Sequence, residues 1–356
     1  MEGFTELLAR AEDSHEQREY IKEIQHLNDA LQLATNEKDI ASVYEKMGTC
    51  LYLLKNKEEA KKYYLLALAK AANIHDNDCE ELTCLINYYL GTLYFAEESY
   101  EQALKHSTRA IECNDFFESS TYCVILNSIG VCLLKLGDLD KAIEYFQMAL
   151  KVDNVTDQDK ANIAASIGQC YDKQRNLKLS YDYFRMAFTF DPNYDGGWYL
   201  TYRFADIAYQ FHDYSLSIAY FIRALREIPY NQIHYIQMSY KYLGYNKLSL
   251  KDYGSSITHF KNCLKVEPMT SNIKAELYAG IAQAYFGLNK IGKVIKFASK
   301  ALTEEFDEVI EERMYFLLAF CYGMWGIHKD RKKELHFTEK LKSRFPQSHF
   351  LMDLEP

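Results

Sequence analysis

The sequence predicts an all-α protein built from about nine helix-turn-helix repeats, and three observations support this fold class. The first is a small residue that returns every 37 to 43 positions along the 356-residue chain. Self-similarity at a period of roughly 20–50 residues is typical of stacked repeat arrays. We call these small residues the anchors of the repeats. They are Ala11, Gly48, Gly91, Gly130, Gly168, Ala205, Gly244, Ala282 and Ala319.

The second observation is the pattern that follows each anchor. In most repeats another small residue comes twelve positions later, a bulky residue sixteen later and an alanine nineteen later. After Gly130 these residues are Ala142, Phe146 and Ala149. Small residues allow two helices to approach closely, and the aromatic ring fills the gap against the next repeat. Each repeat is therefore predicted to contain a helix A with the anchor, a short turn and a helix B.

The third observation is the placement of proline. Three of the five prolines, Pro192, Pro229 and Pro268, stand twenty-four positions after an anchor. Proline has no amide donor and cannot continue a helix, so these residues are predicted to close helix B. The turns between helices A and B are expected at Gly137-Asp138 and at residues 55–57.

The repeats are predicted to run through the chain without a linker. Residues 1–35 are expected to form a degenerate N-terminal capping repeat and residues 36–312 the regular array. Residues 313–356 are expected to form a degenerate C-terminal repeat with a capping helix. Terminal repeats are often atypical because one of their faces meets solvent instead of a neighbour.

The pattern resembles the tetratricopeptide repeat, which has a large residue, Leu-Gly, Tyr, a later Ala, an aromatic residue, Ala and Pro. One repeat matches it at Tyr240, Leu243, Gly244, Ser256, Phe260 and Pro268. The resemblance covers about residues 10–345 and implies a right-handed superhelix. The repeats are longer than the usual 34 residues of the family, which implies helices longer by roughly one turn.

Composition restricts the partners and the compartment. The net charge of −9 leaves no basic footprint for nucleic acid. Residues 1–6 contain neither a basic region nor an apolar core, so no signal peptide is expected. The uncharged run at residues 314–327 is too short to span a bilayer. We therefore expect a cytoplasmic protein that binds neither nucleic acid nor membrane.

No motif in the sequence predicts catalysis, a cofactor or a metal. Residues 287–293 read G-x-x-x-x-G-K, but Val294 replaces the hydroxyl residue of a phosphate-binding loop, and no strand precedes it. The ten histidines form no spaced metal motif. Four cysteines stand two positions after an anchor and are expected to be reduced apolar fillers. These are Cys50, Cys132, Cys170 and Cys321. The protein is predicted not to be an enzyme.

The resemblance implies a binding groove lined by the A helices. Groove-facing side chains in the family lie six and three positions before the anchor, and one and four positions after it. Asparagine and glutamine can pair the backbone of an extended peptide, and tyrosine adds contact area and a hydroxyl. The predicted groove residues are Asn127, Asn162, Gln169, Tyr199, Tyr202, Asp206, Tyr209, Lys241, Tyr245 and Gln283. Asp172 and Glu276 lie beside them.

A second resemblance is to the cytoplasmic peptide-pheromone receptors of Gram-positive bacteria, of the Rap, neutral-protease-regulator and PlcR type. It rests on the nine long repeats and on the abundance of Tyr, Lys, Ile and Asn. It implies a short extended peptide in the groove, held by asparagines such as Asn127 and Asn162, and a transcriptional or response-regulator output. The N-terminal effector domains of that family have no counterpart before Ala11. A general scaffold for protein–protein interaction remains the alternative.

The last repeat predicts a homodimer. As a helix, residues 314–327 would be apolar on every face, although a terminal helix A should keep one polar face. Phe316, Phe320 and Trp325 would then form an exposed patch that a partner chain or a ligand must cover. Two-fold pairing is the commonest arrangement of homo-oligomers, so we expect a dimer through the C-terminal repeats.

Overall fold

The structure is a computed structural model that describes residues 3–72, 74, 77–113, 117–323 and 329–354. All regular structure within these ranges is helical, and the helices follow one another as antiparallel pairs. The predicted all-α class with repeated helix-turn-helix pairs is confirmed. Each of the nine anchors lies on the first helix of a pair.

The described helices belong to two compact units, Met1–Tyr194 and Asp195–Pro356. The first unit contains α1 Phe4–Glu16, α2 Tyr20–Leu33, α3 Glu37–Leu53, α4 Lys57–Ala71, α5 Asn77–Ala96, α6 Tyr100–Ala110, the 3-10 turn Ile111–Cys113, α7 Ser119–Leu136, α8 Leu139–Leu150, α9 Asp157–Lys173 and α10 Leu177–Phe190. The second contains α11 Gly197–Gln210, α12 Tyr214–Glu227, α13 Ile233–Ser249, α14 Tyr253–Cys263, α15 Ser271–Gly287, α16 Ile291–Ala301, α17 Glu308–Gly323, α18 Arg331–Arg344 and the 3-10 helix His349–Leu354.

The anchors are buried where helix A crosses helix B, as predicted. An added Cβ on Gly130 would lie 2.6 Å from Phe146 of the same repeat, and one on Gly168 would lie 2.6 Å from Phe184. The aromatic ring also reaches the next repeat, since a Cβ on Gly280 would lie 2.6 Å from Phe260. The ring therefore packs inside its own helix pair as well as against the neighbouring one.

The turns between helices A and B share one geometry. The residue seven positions after the anchor has positive φ, and this residue is glycine in the fourth repeat, where Gly137 has φ 92°. In the other described turns it is Arg18, Lys55, Glu98, Arg175, His212, Lys251 or Asn289. The next residue often caps helix B by accepting a backbone N–H bond. Asn56, Asp138, Asn176, Asp213 and Asp252 do so.

Helix α7 is apolar because it is a core helix. Among the described residues it is the one helix whose length and composition would suffice to cross a membrane. Its side chains Leu126, Ile129 and Leu133 are buried in the core of the first unit, together with Phe146 of α8. The packing of α7 in the core accounts for its apolar sequence.

The four cysteines of the repeated slot, Cys50, Cys132, Cys170 and Cys321, are free and buried, as expected. Cys84 departs from this pattern because it is disulfide-bonded. The interpretation of cysteine as a reduced filler therefore holds for the repeated slot and not for Cys84.

Candidate functional site on the A helices

The A helices of the second unit, α11, α13, α15 and α17, contact one another in sequence and present a common face. Several groove residues predicted from the repeat pattern lie on it. We call the charged and amide side chains on this face the polar row. It consists of Arg203, Asp206, Lys241, Glu276, Gln283 and Arg313.

Charge pairs connect the polar row within and between helices. Arg203 donates to Asp206 at 2.7 Å on α11. Lys241 of α13 donates to Glu276 of α15 at 2.8 Å. Both lysine and glutamate are partly shielded, with side chains 12% and 25% exposed. An ion pair in this environment is screened less than one on an open surface, and it aligns the two repeats.

Arg313 ends the polar row with a cation that is not neutralised. When the Gln283 amide is oriented with its oxygen toward the guanidinium, it accepts from Arg313 Nη1 at 2.7 Å. Arg313 is exposed and forms no ion pair with any residue that the structure describes. An arginine held by a neutral amide keeps its charge and its remaining donors for an anionic group.

Tyrosines fill the space between the charged pairs. The rings of Tyr209 and Tyr242 lie 5.0 Å apart, and Lys241 Nζ lies 5.4 Å from the centre of the Tyr242 ring. Tyr245 packs on Phe260 and donates to the Glu276 backbone carbonyl at 3.4 Å. Burial raises the pKa of Tyr209, Tyr242 and Tyr245. The phenol O–H groups of Tyr209 and Tyr242 can donate to a ligand, whereas that of Tyr245 already donates to the Glu276 carbonyl.

Two predicted groove tyrosines have other surroundings. Tyr202 is 6% exposed and packs against Phe221 and Tyr235, so it lies in the core of the unit rather than on the predicted surface. Tyr199 is 50% exposed and contacts Trp198 and Tyr235 edge to face. Of the two α11 positions before the anchor that were predicted to face the groove, Tyr202 is therefore packed in the core and Tyr199 lies on the surface.

The predicted residues of the first unit form a smaller set on α7 and α9. Asn127 is half-buried, and its Oδ1 has no hydrogen-bond partner. An unpaired buried acceptor is unfavourable by about 1–3 kcal/mol. Asn162 is half-buried and Gln169 is exposed. These amides are available to a ligand, and among the described residues no hydrogen bond or ion pair links Asn127, Asn162 and Gln169 to one another.

Two of the aromatic residues assigned to a dimer interface, Phe316 and Phe320, are half-buried and pack on other rings of the same chain. Phe316 stacks on Phe350 of the C-terminal 3-10 helix, with ring centres 4.6 Å apart. Phe320 packs edge to face on Phe286 at 5.5 Å. Trp325 lies outside the described residues. The chain's own last residues thus pack on α17 at Phe316, which does not require a partner subunit to shield its ring.

Sequence reasoning missed three residues of this face. Arg313 stands six positions before Ala319, a groove-facing position of the repeat pattern, so the same rule would have selected it. Arg203 and Tyr242 each stand two positions before an anchor, outside that rule. Arg203 belongs to the row through its ion pair with Asp206 on the same helix, whereas Tyr242 reaches it by packing against Tyr209 of the preceding repeat.

Comparison with known proteins agrees with the repeat assignment. Two family models described as tetratricopeptide repeat match the chain, one at residues 81–154 and 120–193, the other at residues 41–69. Residues 41–69 and 81–193 are thus tetratricopeptide repeats. No curated protein matches the sequence as a relative.

Solved structures show similarity in fold. The C-terminal part of a TPR repeat-containing protein from Cytophaga hutchinsonii has a TM-score of 0.50 and 16% identity, covering 79% of this chain and 99% of that one. A tetratricopeptide repeat protein from Parabacteroides merdae has a TM-score of 0.46 and 17% identity, covering 77% and 97%. YrrB, described as a TPR protein with an unusual peptide-binding site, has a TM-score of 0.43 and 21% identity, covering 52% and 86%.

Proposed function

We propose that the A-helix face of the second unit binds an extended peptide segment. The observation that carries this proposal is the polar row with its intervening tyrosines, which spans four consecutive A helices. Tyrosine hydroxyls and the Gln283 amide can pair with peptide backbone groups, while the charged pairs discriminate among side chains. YrrB is likewise described as a TPR protein with a peptide-binding site, and this description is all that the proposal shares with it.

The spacing of the A helices sets the length of the peptide. Packed helices lie about 10 Å apart, so four of them span about 30 Å. An extended chain advances about 3.3 Å per residue, which gives a bound segment of about nine residues. The cation at Arg313 is unpaired, so we expect such a segment to carry an acidic group opposite α17.

We also propose a regulatory role for peptide binding. A short signalling peptide would bind the groove and change how the protein acts on a transcriptional regulator or response regulator in the cytoplasm. This part rests on the resemblance to peptide-pheromone receptors. Peptide binding on the second unit would stand even if that relay were absent.

The alternative is an adaptor for folded proteins, and one surface favours it. Leu65 and Leu66 on α4 are 41% and 40% exposed beside the charged residues Glu58, Lys61 and Lys62. Apolar side chains with a charged rim are typical of protein interaction surfaces. An adaptor would lose its partner when both leucines become serine, whereas a peptide receptor would keep its peptide.

Peptide binding can be tested with a display library of random peptides about nine residues long. Selected peptides are synthesised, labelled and titrated with the purified protein by fluorescence anisotropy. Arg313→Ala should weaken binding of the selected acidic peptides by about 1–3 kcal/mol, because it removes a charge-assisted hydrogen bond. Tyr230→Phe is the matched control, since Tyr230 is 91% exposed and lies off this face.

A charge exchange sharpens the test. Lys241→Glu combined with Glu276→Lys keeps the ion pair, so it should preserve the fold while changing which peptides bind. Peptide binding that Arg313→Ala and the exchange both leave unchanged would remove the polar row from the site. Loss of binding in the double variant Asn127→Ala, Asn162→Ala alone would place the site on the first unit.

A further inference from the structure

A group of metal-ligating side chains lies in the first unit, between α1, α2 and α3. His15 lies in the last turn of α1, Glu23 is on α2 and Cys50 is on α3. The ligand atoms of these three residues all lie within 4.8 Å of one another, and His15 Nδ1 is 2.9 Å from a Glu23 carboxylate oxygen. This group is separate from the peptide-binding face.

Glu23 departs from the repeat pattern at this place. It stands twelve positions after its anchor, where other repeats have a small residue such as Ala60 or Ala103. Its side chain is only 4% exposed. A carboxylate buried at a helix crossing is unfavourable unless it is paired or binds a cation. The carboxylate faces His15 and also Cys50, whose pKa is raised by burial and by a hydrogen bond to Glu23.

A cavity gives access to this group from solvent. Its volume is about 340 Å³, and its walls include His15, Glu45 and Thr49. The His15 side chain is 44% exposed, so its ring lies between the cavity and the buried carboxylate. Thr49 donates to Glu45 at 2.8 Å and holds that second carboxyl at the cavity wall.

We propose that His15, Glu23 and Cys50 bind a zinc ion. Imidazole nitrogen, carboxylate oxygen and thiolate sulfur are the donors of zinc sites, and the thiolate disfavours calcium and magnesium. Tetrahedral zinc with bonds of about 2.0–2.3 Å requires donors about 3.3–3.8 Å apart. The His15–Glu23 separation of 2.9 Å is shorter than that range, and no pair of the three ligand atoms is more than 4.8 Å apart, so binding requires these side chains to adjust by about 1 Å or less.

Three protein ligands leave the fourth position of the ion open toward the cavity, where water or a ligand atom completes it. Binding converts the Cys50 thiol to a thiolate, and its proton passes to solvent. The bound ion then joins three helices of the first two repeats. The sequence predicted no metal site because His15, Glu23 and Cys50 form no spaced motif.

The test uses the full-length protein, stripped with a chelator and titrated with Co²⁺ alone and then Zn²⁺ alone. We expect one ion per chain, a thiolate-to-cobalt charge-transfer band, loss of that band on Zn²⁺ addition, and a higher Tm with Zn²⁺. Cys50→Ser should abolish the band. Cys132→Ser is the matched control, since Cys132 is free and buried in the same slot of another repeat and should leave the band unchanged.

His15→Ala provides a second variant if Cys50→Ser fails to fold, because the His15 side chain is half exposed. Losing a direct ligand should weaken Zn²⁺ binding by more than the roughly 10–100-fold seen for outer-shell partners. Absence of stoichiometric Co²⁺ binding to the wild type would overturn the proposal. A band that survives Cys50→Ser, or unchanged Zn²⁺ affinity in His15→Ala, would overturn it equally and leave a hydrogen-bonded group without a metal.

Discussion

Gly130 on α7 lies against the face of Phe146 on α8, and this contact tests how the repeats are held together. An added Cβ would lie 2.6, 2.7 and 2.9 Å from three atoms of that ring. Carbon atoms in ordinary contact are about 3.5–4.0 Å apart, so the ring would have to move by about 1 Å. Phe146 is 0% exposed and lies in the core cluster of the first unit, so any movement of its ring displaces other buried side chains.

The magnitude follows from two opposing effects. Overpacking a filled core is unfavourable by about 1–3 kcal/mol, and a ring enclosed on all sides belongs in the upper half of that range. Alanine regains up to about 1 kcal/mol over glycine in helix propensity. We therefore expect Gly130→Ala to lower the free energy of unfolding by about 1–2 kcal/mol, and Gly130→Leu to lower it further.

The assay is urea unfolding followed by far-ultraviolet circular dichroism, with an unchanged m-value as the condition for comparison. Gly254→Ala in α14 is the control, because a Cβ there meets no atom within 4 Å and should be neutral or stabilising. Phe146→Leu should relieve the clash, so its effect and that of Gly130→Ala should be non-additive. Unchanged stability of Gly130→Ala, or strict additivity in the double variant, would refute the reasoning.

Three further predictions concern local stability. Asn176→Ala removes an N-cap bond of α10 and should lower stability by about 1 kcal/mol in urea unfolding, whereas Ser99→Ala, whose side chain makes no cap bond, should have little effect. Gly137→Ala should lower it by about 1 kcal/mol because φ is 92°, and a stable variant would contradict this. Burial lowers the pKa of His106 from 6.5 to about 4, so its neutral form stabilises the fold above pH 6.5 and this contribution is lost as pH falls toward 4. His106→Gln should flatten the dependence of Tm on pH across that window.

The repeat pattern was predictable because its cause is local and recurs. A helix crossing as close as that of Gly168 and Phe184 excludes a side chain on one helix, so the small residue must return once per repeat. The turns between helices A and B were predictable for the same reason, because each lies a fixed number of residues after the anchor. The C-terminal cover of Phe316 was not predictable, since no periodicity indicates where the last 3-10 helix folds back.

The site was predictable only in part. A rule of positions relative to the anchor selected Lys241 and Tyr245, whose side chains contact Glu276 of the next A helix, but it also selected Tyr202, which packs in the core. The rule describes an average repeat. Whether a given position reaches the surface depends on the size of the aromatic side chains in the neighbouring repeat, such as Tyr235.

By itself, the sequence determined the helical class, the number of repeats and the location of their turns, because these depend on spacing within some forty residues. Only the tertiary structure decided which distant side chains meet. Lys241 pairs with Glu276 from the next repeat, and Glu23 and Cys50 approach from different helices. Such contacts depend on the angle at which one helix pair stacks on the next, and that angle comes from the packing of whole side chains rather than from their order along the chain.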